Sequence, residues 1–438
     1  MPNRFWHVAW LSLLVLSSLH AGEQNKSPLP EPLTLEYALS LAEDDHPRLL
    51  AAKYLLDSFS AKRQQAEAMD DYSATLTGRI RWLDLPADVG VYNTGINADH
   101  ALGINIKKPL LDSGASSNQI KSAQLFEDGA RKQYQSVLQL RRELIMQRYF
   151  DVLLADLQFF RENERMATAY ISLDRAKTRQ SLGQAEELEI LKLERQYQKV
   201  RRDRYYYEGQ QRITRASLAE ALNRPGMLSS ILNKPALPQL ERKPPELEVL
   251  QALARANNPE LMALRRNVAA SSSAVEAVRA RDGFNMEAVL GYNGYSFQPA
   301  SRENWFVGVN FNYPLTNGGR SDADIAYALS QKYQLQNQLS DAENQLDQAV
   351  LTAWMELGTL RIERQEMQAL SDYEGFYLDR TRTVYEQGLQ TTLGDAMTRI
   401  TDAEWRLSQT EYKIALMWLK LEGLIGLPYE QFPPLENK

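Results

Sequence analysis

Four histidines and no cysteine are distributed over 438 residues, and two of the histidines, His7 and His20, fall within a mostly apolar N-terminal run. That leaves His46 and His100, too far apart and without thiolate neighbours to compose a zinc pattern. The chain has no HExxH, no GxSxG and no phosphate-cradling GxxxxGK. The acidic pairs Asp44-Asp45 and Asp70-Asp71 sit near helix ends or breaks, and carboxylates are too abundant to single out a general acid and base. We therefore expect no catalytic residue, no metal site and no cofactor. The residues whose spacing can act together are cations. Arg79 and Arg81 share one side of a strand-like run, and Lys107 takes the same side of the next. Cations aligned in this way set an electric field for solutes passing along a wet surface.

The elements that must position them are ribbons with two unlike faces. From Tyr72 to Leu83, Tyr72, Ala74, Leu76, Gly78, Ile80 and Trp82 alternate with Ser73, Thr75, Thr77, Arg79 and Arg81. Side chains of a strand alternate with a period of two, so one face is oily and the other wet and cationic. Leu102, Ile104 and Ile106 repeat the pattern against Gly103, Asn105 and Lys107. Later, Phe284, Met286, Ala288, Leu290 and Tyr292 alternate with a mainly polar set, as do Trp305, Val307, Val309, Phe311 and Tyr313. Val289 and Phe306 interrupt the polar side, and Lys108 falls on the oily side unless it snorkels to a rim. Ten residues at ~3.3 Å, tilted by about 45°, reach roughly 23 Å along a membrane normal, near the apolar height of an outer-membrane barrel. Tyr72, Trp82, Trp305 and Tyr313 suit the two interfaces of such a band. A soluble antiparallel sheet whose oily face lies on helices shares the alternation. Four strands cannot close a barrel, and an open edge in lipid leaves backbone groups unsatisfied, so a membrane reading requires several copies.

Long helices surround these ribbons. No proline occurs between Pro109 and Pro225, and Ala115 to Leu182 as one helix would extend on the order of 100 Å. In the second half Leu339, Ala342, Leu346, Val350, Ala353, Leu357 and Leu360 recur every three or four residues, the stripe of a coiled-coil-like seam. The whole arrangement occurs twice. The run from Leu35 matches that from Leu247, with Pro47 answering Pro259; PLLDSG at 109–114 answers PLTNGG at 314–319; Gly183 with Leu188 answers Gly388 with Leu393. The expected organisation is a first repeat over 33–222 with a strand pair at 72–83 and 101–110, and a second over 247–427 with a strand pair at 284–297 and 304–313. A proline-rich linker, 223–246, joins them, and 428–438 forms a tail. The fold expected is mainly α with a small β part.

Bulk properties agree with a water-compatible exterior: 44% hydrophobic, 24% charged, mean hydropathy −0.46. A net charge of −6 gives no electrostatic support to nucleic-acid binding. Arg4, the apolar stretch Val8 to Leu19 and the small residues Ala21 and Gly22 read as a cleaved export signal over 1–21, too short for a comfortable membrane anchor.

The doubled order of helix, strand pair, long helix, turn and return helix resembles the TolC-like outer-membrane efflux protein family. The echoes are His46-Pro47-Arg48-Leu49 with Asn258-Pro259-Glu260-Leu261, the corners PLLDSG and PLTNGG, and the glycine-marked hairpins, over about Leu33 to Leu427. The resemblance implies a homotrimer whose four strands per chain build a twelve-stranded β-barrel in the outer membrane, above a trimeric α-barrel of long hairpins extending through the periplasm. It implies coupling to an inner-membrane transporter through a periplasmic adaptor protein, for drug, metal or protein export. The adaptor would meet the hairpin tips, here Gly183, Gln184, Leu188, Gly388, Leu389 and Leu393. Some members close the tunnel with aspartate rings; the aligned positions here are Gly394 and Met397, with Asp395 beside them and Glu189 in the equivalent place of the first half. Many relatives also carry a lipidated cysteine, which this chain lacks. The alternative is a periplasmic coiled-coil scaffold or adaptor that never enters the membrane; a periplasmic hydrolase would need a convergent polar pocket that no motif supplies.

Overall fold

The computed structural model describes residues 28–85, 95–227, 229–296, 302–387 and 393–433. The expected export signal, the tip residues Gly388 and Leu389, and the last five residues lie outside them.

Each half begins with a short helix, α1 (Leu35–Ser40) or α5 (Leu247–Asn257), followed by a 22-residue helix, α2 (Pro47–Ala68) or α6 (Pro259–Ala280). Proline opens both longer helices at the first turn, where its missing N–H costs nothing. The residue ahead of it caps the turn: His46 accepts from Arg48 N, and Asn258 accepts from Leu261 N. The strands follow: β1 (Ser73–Arg79), β2 (Trp82–Leu85), β3 (Gly95–Ala98) and β4 (Ala101–Leu111) in the first half, β5 (Asn285–Tyr295) and β6 (Trp305–Asn312) in the second. The chain then enters α3 (Ala115–Ser181) or α7 (Arg320–Glu386), each 67 residues long, through a left-handed glycine, Gly114 at φ 89° or Gly319 at φ 82°. A side chain at such angles is strained, so glycine at this corner is a backbone requirement. The return helices are α4 (Glu187–Ala221) and α8 (Leu393–Ile425).

Two apolar cores tie the helices together near their middle. In one, Ile145, Tyr149 and Phe150 of α3 meet Leu218 and Leu222 at the end of α4, Leu35 and Ala38 of α1, and Tyr412 of α8. Phe150 stacks on Tyr412 at 4.3 Å, and the single proton of the Tyr149 hydroxyl is shared between the carbonyls of Leu33 and Asn233, pinning the linker to the bundle. In the other, Leu346, Val350, Ala353, Leu357 and Leu360 face Ile414, Trp418 and Leu421 of α8 with Leu250 and Ala254 of α5 beside them. The stripe read as a coiled-coil seam is thus a local core, because the short α5 lies beside the α7–α8 pair there. The stretch after Pro428 is also more than a tail: Phe432 is 2% exposed and packs on Trp418.

Burial raises the carboxyls of Glu143 and Glu422 above their ordinary range, with Lys420 and Arg142 respectively opposing the shift. Glu422 also accepts from Tyr429 N at 3.0 Å and lies near Glu430. A raised acid binds its proton more tightly folded than unfolded, so stability falls as pH climbs through the folded value. Glu422→Gln keeps the acceptor and removes the charge. Its apparent Tm should exceed that of the parent at pH 7.5, and the difference should shrink away toward about pH 3, where the parent carboxyl is protonated in both states.

Candidate functional site

The main sheet has strand order β1-β4-β5-β6, antiparallel throughout. Its register aligns the faces of all four strands. Leu76, Ile104, Tyr292 and Trp305 form one row and Ala74, Ile106, Leu290 and Val307 the next. The complementary rows are Thr75, Asn105, Gly291, Phe306 and Ser73, Lys107, Val289, Gly308. One residue of slip in any strand would have mixed the two sets.

Among the described residues nothing covers the oily face. Leu76 is 67% exposed, Leu102 60%, Val307 70% and Phe311 75%, and the extensive contacts of the sheet are strand to strand. The polar face is the tighter one: a Cβ on Gly291 would lie 2.4 Å from the Phe306 ring, and Gly103 lies under Asn293. Phe306, which breaks the polar pattern, is accommodated because its neighbour has no side chain. Lys108 falls on the oily face opposite Ala288, and its ammonium reaches back to the Asp70 carbonyl at the helical end of the sheet. Tyr72, Trp82, Trp305 and Tyr313 are all at least 59% exposed. Tyr72 and Tyr313 stand at the helical end and the two tryptophans toward the distal end.

The ribbon expected over 72–83 is interrupted. Pairing of β1 with β4 ends at Arg79↔Ala101 and resumes in β2–β3 at Trp82↔Ala98, in unchanged register. Asp99 occupies the gap, fully buried, and accepts from Arg79 at 3.1 Å, Arg81 at 2.5 Å and Arg302 at 2.5 Å. Lys107 lies 3.5 Å from Glu287, which also accepts from Asn310. The three cations read from the sequence therefore sit on the polar face as paired charges. Asp99 and Arg302 escaped the sequence reading; cross-strand counting would have set Asp99 opposite Arg81, but nothing local announces Arg302.

At the far ends of the helices, Gly183 (φ 68°) turns α3 into α4, with Gln184 N donating to Arg179 O, and Leu188 is 74% exposed. Glu189 is held by Arg179 at 2.6 Å, and Asp395 by Arg399 at 3.0 Å, so each acid pairs within its own hairpin. Leu393 opens α8, and a Cβ on Gly394 would strike Thr168 of α3. Further along, Arg161 of α3 joins Asp402 of α8 and the buried Glu162, and Glu164 accepts from Thr401. Desolvation raises the Glu164 carboxyl. Among the described residues no cluster of histidine and acidic side chains could hold a metal, and no helix is long and apolar enough to cross a membrane.

No curated protein matches the chain in sequence. The family model described as "Outer membrane efflux protein" matches residues 250–427. Among solved structures, CusC, whose study concerns folding and transmembrane channel formation, superposes with TM-score 0.73 at 18% identity over 90% of this chain and 92% of its own. The outer membrane protein VceC of Vibrio cholerae gives 0.72 at 13% identity over 90% and 96%. The outer membrane channel CmeC of Campylobacter jejuni gives 0.73 at 13% identity over 97% and 94%. The second repeat therefore carries the match to the outer membrane efflux protein model, and the chain as a whole shares the fold of these solved channels.

Proposed function

We propose that this chain is one subunit of an outer-membrane exit duct, a passive conduit extending into the periplasm, energised by an inner-membrane transporter through an adaptor. The observation that carries this reading is the sheet with an uncovered oily face and two open edges, β1 and β6. In lipid such edges must be paired. The same asymmetry recurs at every level. Near the sheet the helix order is α2–α3–α6–α7, and toward the tips α4–α3–α8–α7. First-half elements are free on one side and second-half elements on the other, so copies join head to tail into a closed ring. Large apolar side chains mark both margins, including Tyr205 on α4 and Phe376 on α7. Three copies would supply twelve strands and two the practical minimum of eight; the family resemblance favours three.

Gly183, Gln184 and Leu188, with Gly388, Leu389 and Leu393, are the surface we assign to the adaptor. Asp395 and Glu189 remain the acids nearest a periplasmic constriction, although their arginine partners weaken any ring they form. The test is fractionation followed by reconstitution. The protein should stay with the outer membrane until detergent releases it, run as an oligomer, and conduct ions in planar bilayers. Recovery in the soluble periplasmic pool, as a scaffold would show, overturns the proposal.

A further inference from the structure

We infer that the distal rim of the sheet's polar face is a cationic filter that favours anionic solutes, with Asp99 as the residue that positions it. The inference rests on the channel reading, which makes the polar face the lumen wall. Arg79 and Arg81 come from the β1–β2 edge, Asp99 from the β3–β4 junction and Arg302 from the segment leading into β6. All lie at the end of the sheet away from the helices. Among the described residues three guanidiniums meet one carboxylate on this face, so positive charge outnumbers negative there in each chain.

Exposure makes the imbalance larger than the count. The Asp99 side chain is 0% exposed, whereas those of Arg79 and Arg81 are each 44% exposed. Water in the lumen meets the cations and not the anion that gathers them. Arg302 also lies 5.0 Å from the Tyr295 ring centroid, and the backbone around Asp99 is fixed by Asp99 N donating to Arg81 O and by the paired bonds of His100 with Ser296. The arginines are thus tied to one carboxylate whose backbone is itself hydrogen-bonded in place. Deeper in the lumen Lys107 is offset by Glu287, so the excess is concentrated at the mouth. Repeated around a closed ring, it forms a girdle whose potential adds across a narrow, low-dielectric opening. The solutes it favours carry carboxylate, sulfonate or phosphate groups, for which arginine is the matching donor.

The test is the reversal potential of the purified oligomer in planar bilayers under a potassium chloride gradient. The Arg302→Gln and Arg79→Gln/Arg81→Gln proteins should lose chloride preference by several-fold. Asp99→Asn, which leaves three cations uncompensated, should move it the opposite way. All shifts should be large near 0.01 M salt, where the screening length is about 30 Å, and collapse at 1 M, where it is about 3 Å. A clamp with only a structural role would change conductance and stability in the same direction for every variant and leave the sign of selectivity alone. Shifts of one sign, or none in a conducting protein, overturn the filter and leave the channel standing. Absence of any conductance removes the channel reading and the filter with it.

Discussion

Leu290→Arg should nearly abolish the membrane-inserted oligomer, while Thr75→Arg should leave it intact. Leu290 stands midway along β5, 48% exposed, in the row Ala74, Ile106, Leu290, Val307. With that row in lipid, an arginine at mid-depth costs about 2–4 kcal/mol in each subunit. Thr75 is also exposed but belongs to the row Thr75, Asn105, Gly291, Phe306, where a cation remains in water. The comparison separates the membrane reading from a soluble sheet, because both substitutions add the same side chain to the same four strands. The measurement is outer-membrane yield together with the fraction of oligomer surviving mild detergent at rising temperature. Equal behaviour of the two proteins would mean that the oily face does not meet lipid.

Trp418→Ala is expected to give the largest loss of fold stability, about 3–5 kcal/mol for a fully buried tryptophan. The side chain is 1% exposed and lies against Tyr429 at 5.9 Å and Phe432 at 6.3 Å, inside the core shared by α5, α7 and α8. That core holds α5, α7, α8 and the segment reaching Phe432 together, so a cavity here loosens the second repeat. Thermal unfolding followed by far-ultraviolet circular dichroism should show a Tm lowered by several degrees even in the detergent-stabilised oligomer. A change within about 0.5 kcal/mol, the range of ordinary surface substitutions, would remove Trp418 from the core.

The doubling of the chain, the two-faced ribbons and the long helices were legible in the sequence because each depends on neighbours a few residues apart. Alternation with a period of two needs only one strand, and a run without proline leaves a long helix free to form wherever its apolar residues recur every three or four positions. Gly114 and Gly319 could be placed at matching corners for the same reason: each marks a local demand for positive φ. The cations Arg79, Arg81 and Lys107 were visible as a set because they share one face.

What those cations do was decided by tertiary structure. Asp99 meets Arg302 across 203 positions, and Arg161 meets Asp402 across 241. Such pairs are fixed by which strands and hairpins become neighbours, a choice made by the combined burial of Phe150, Tyr412, Leu357 and Trp418 and not by any local pattern. The break after Arg79, where the sequence continues to alternate, has the same origin. A period-two pattern says which way each side chain points, but only the assembled sheet reveals that three arginines converge on one buried carboxylate. The stripe from Leu339 to Leu360 is a further case: its spacing prescribes a buried face, and the position of α5 determined what that face would bury itself against.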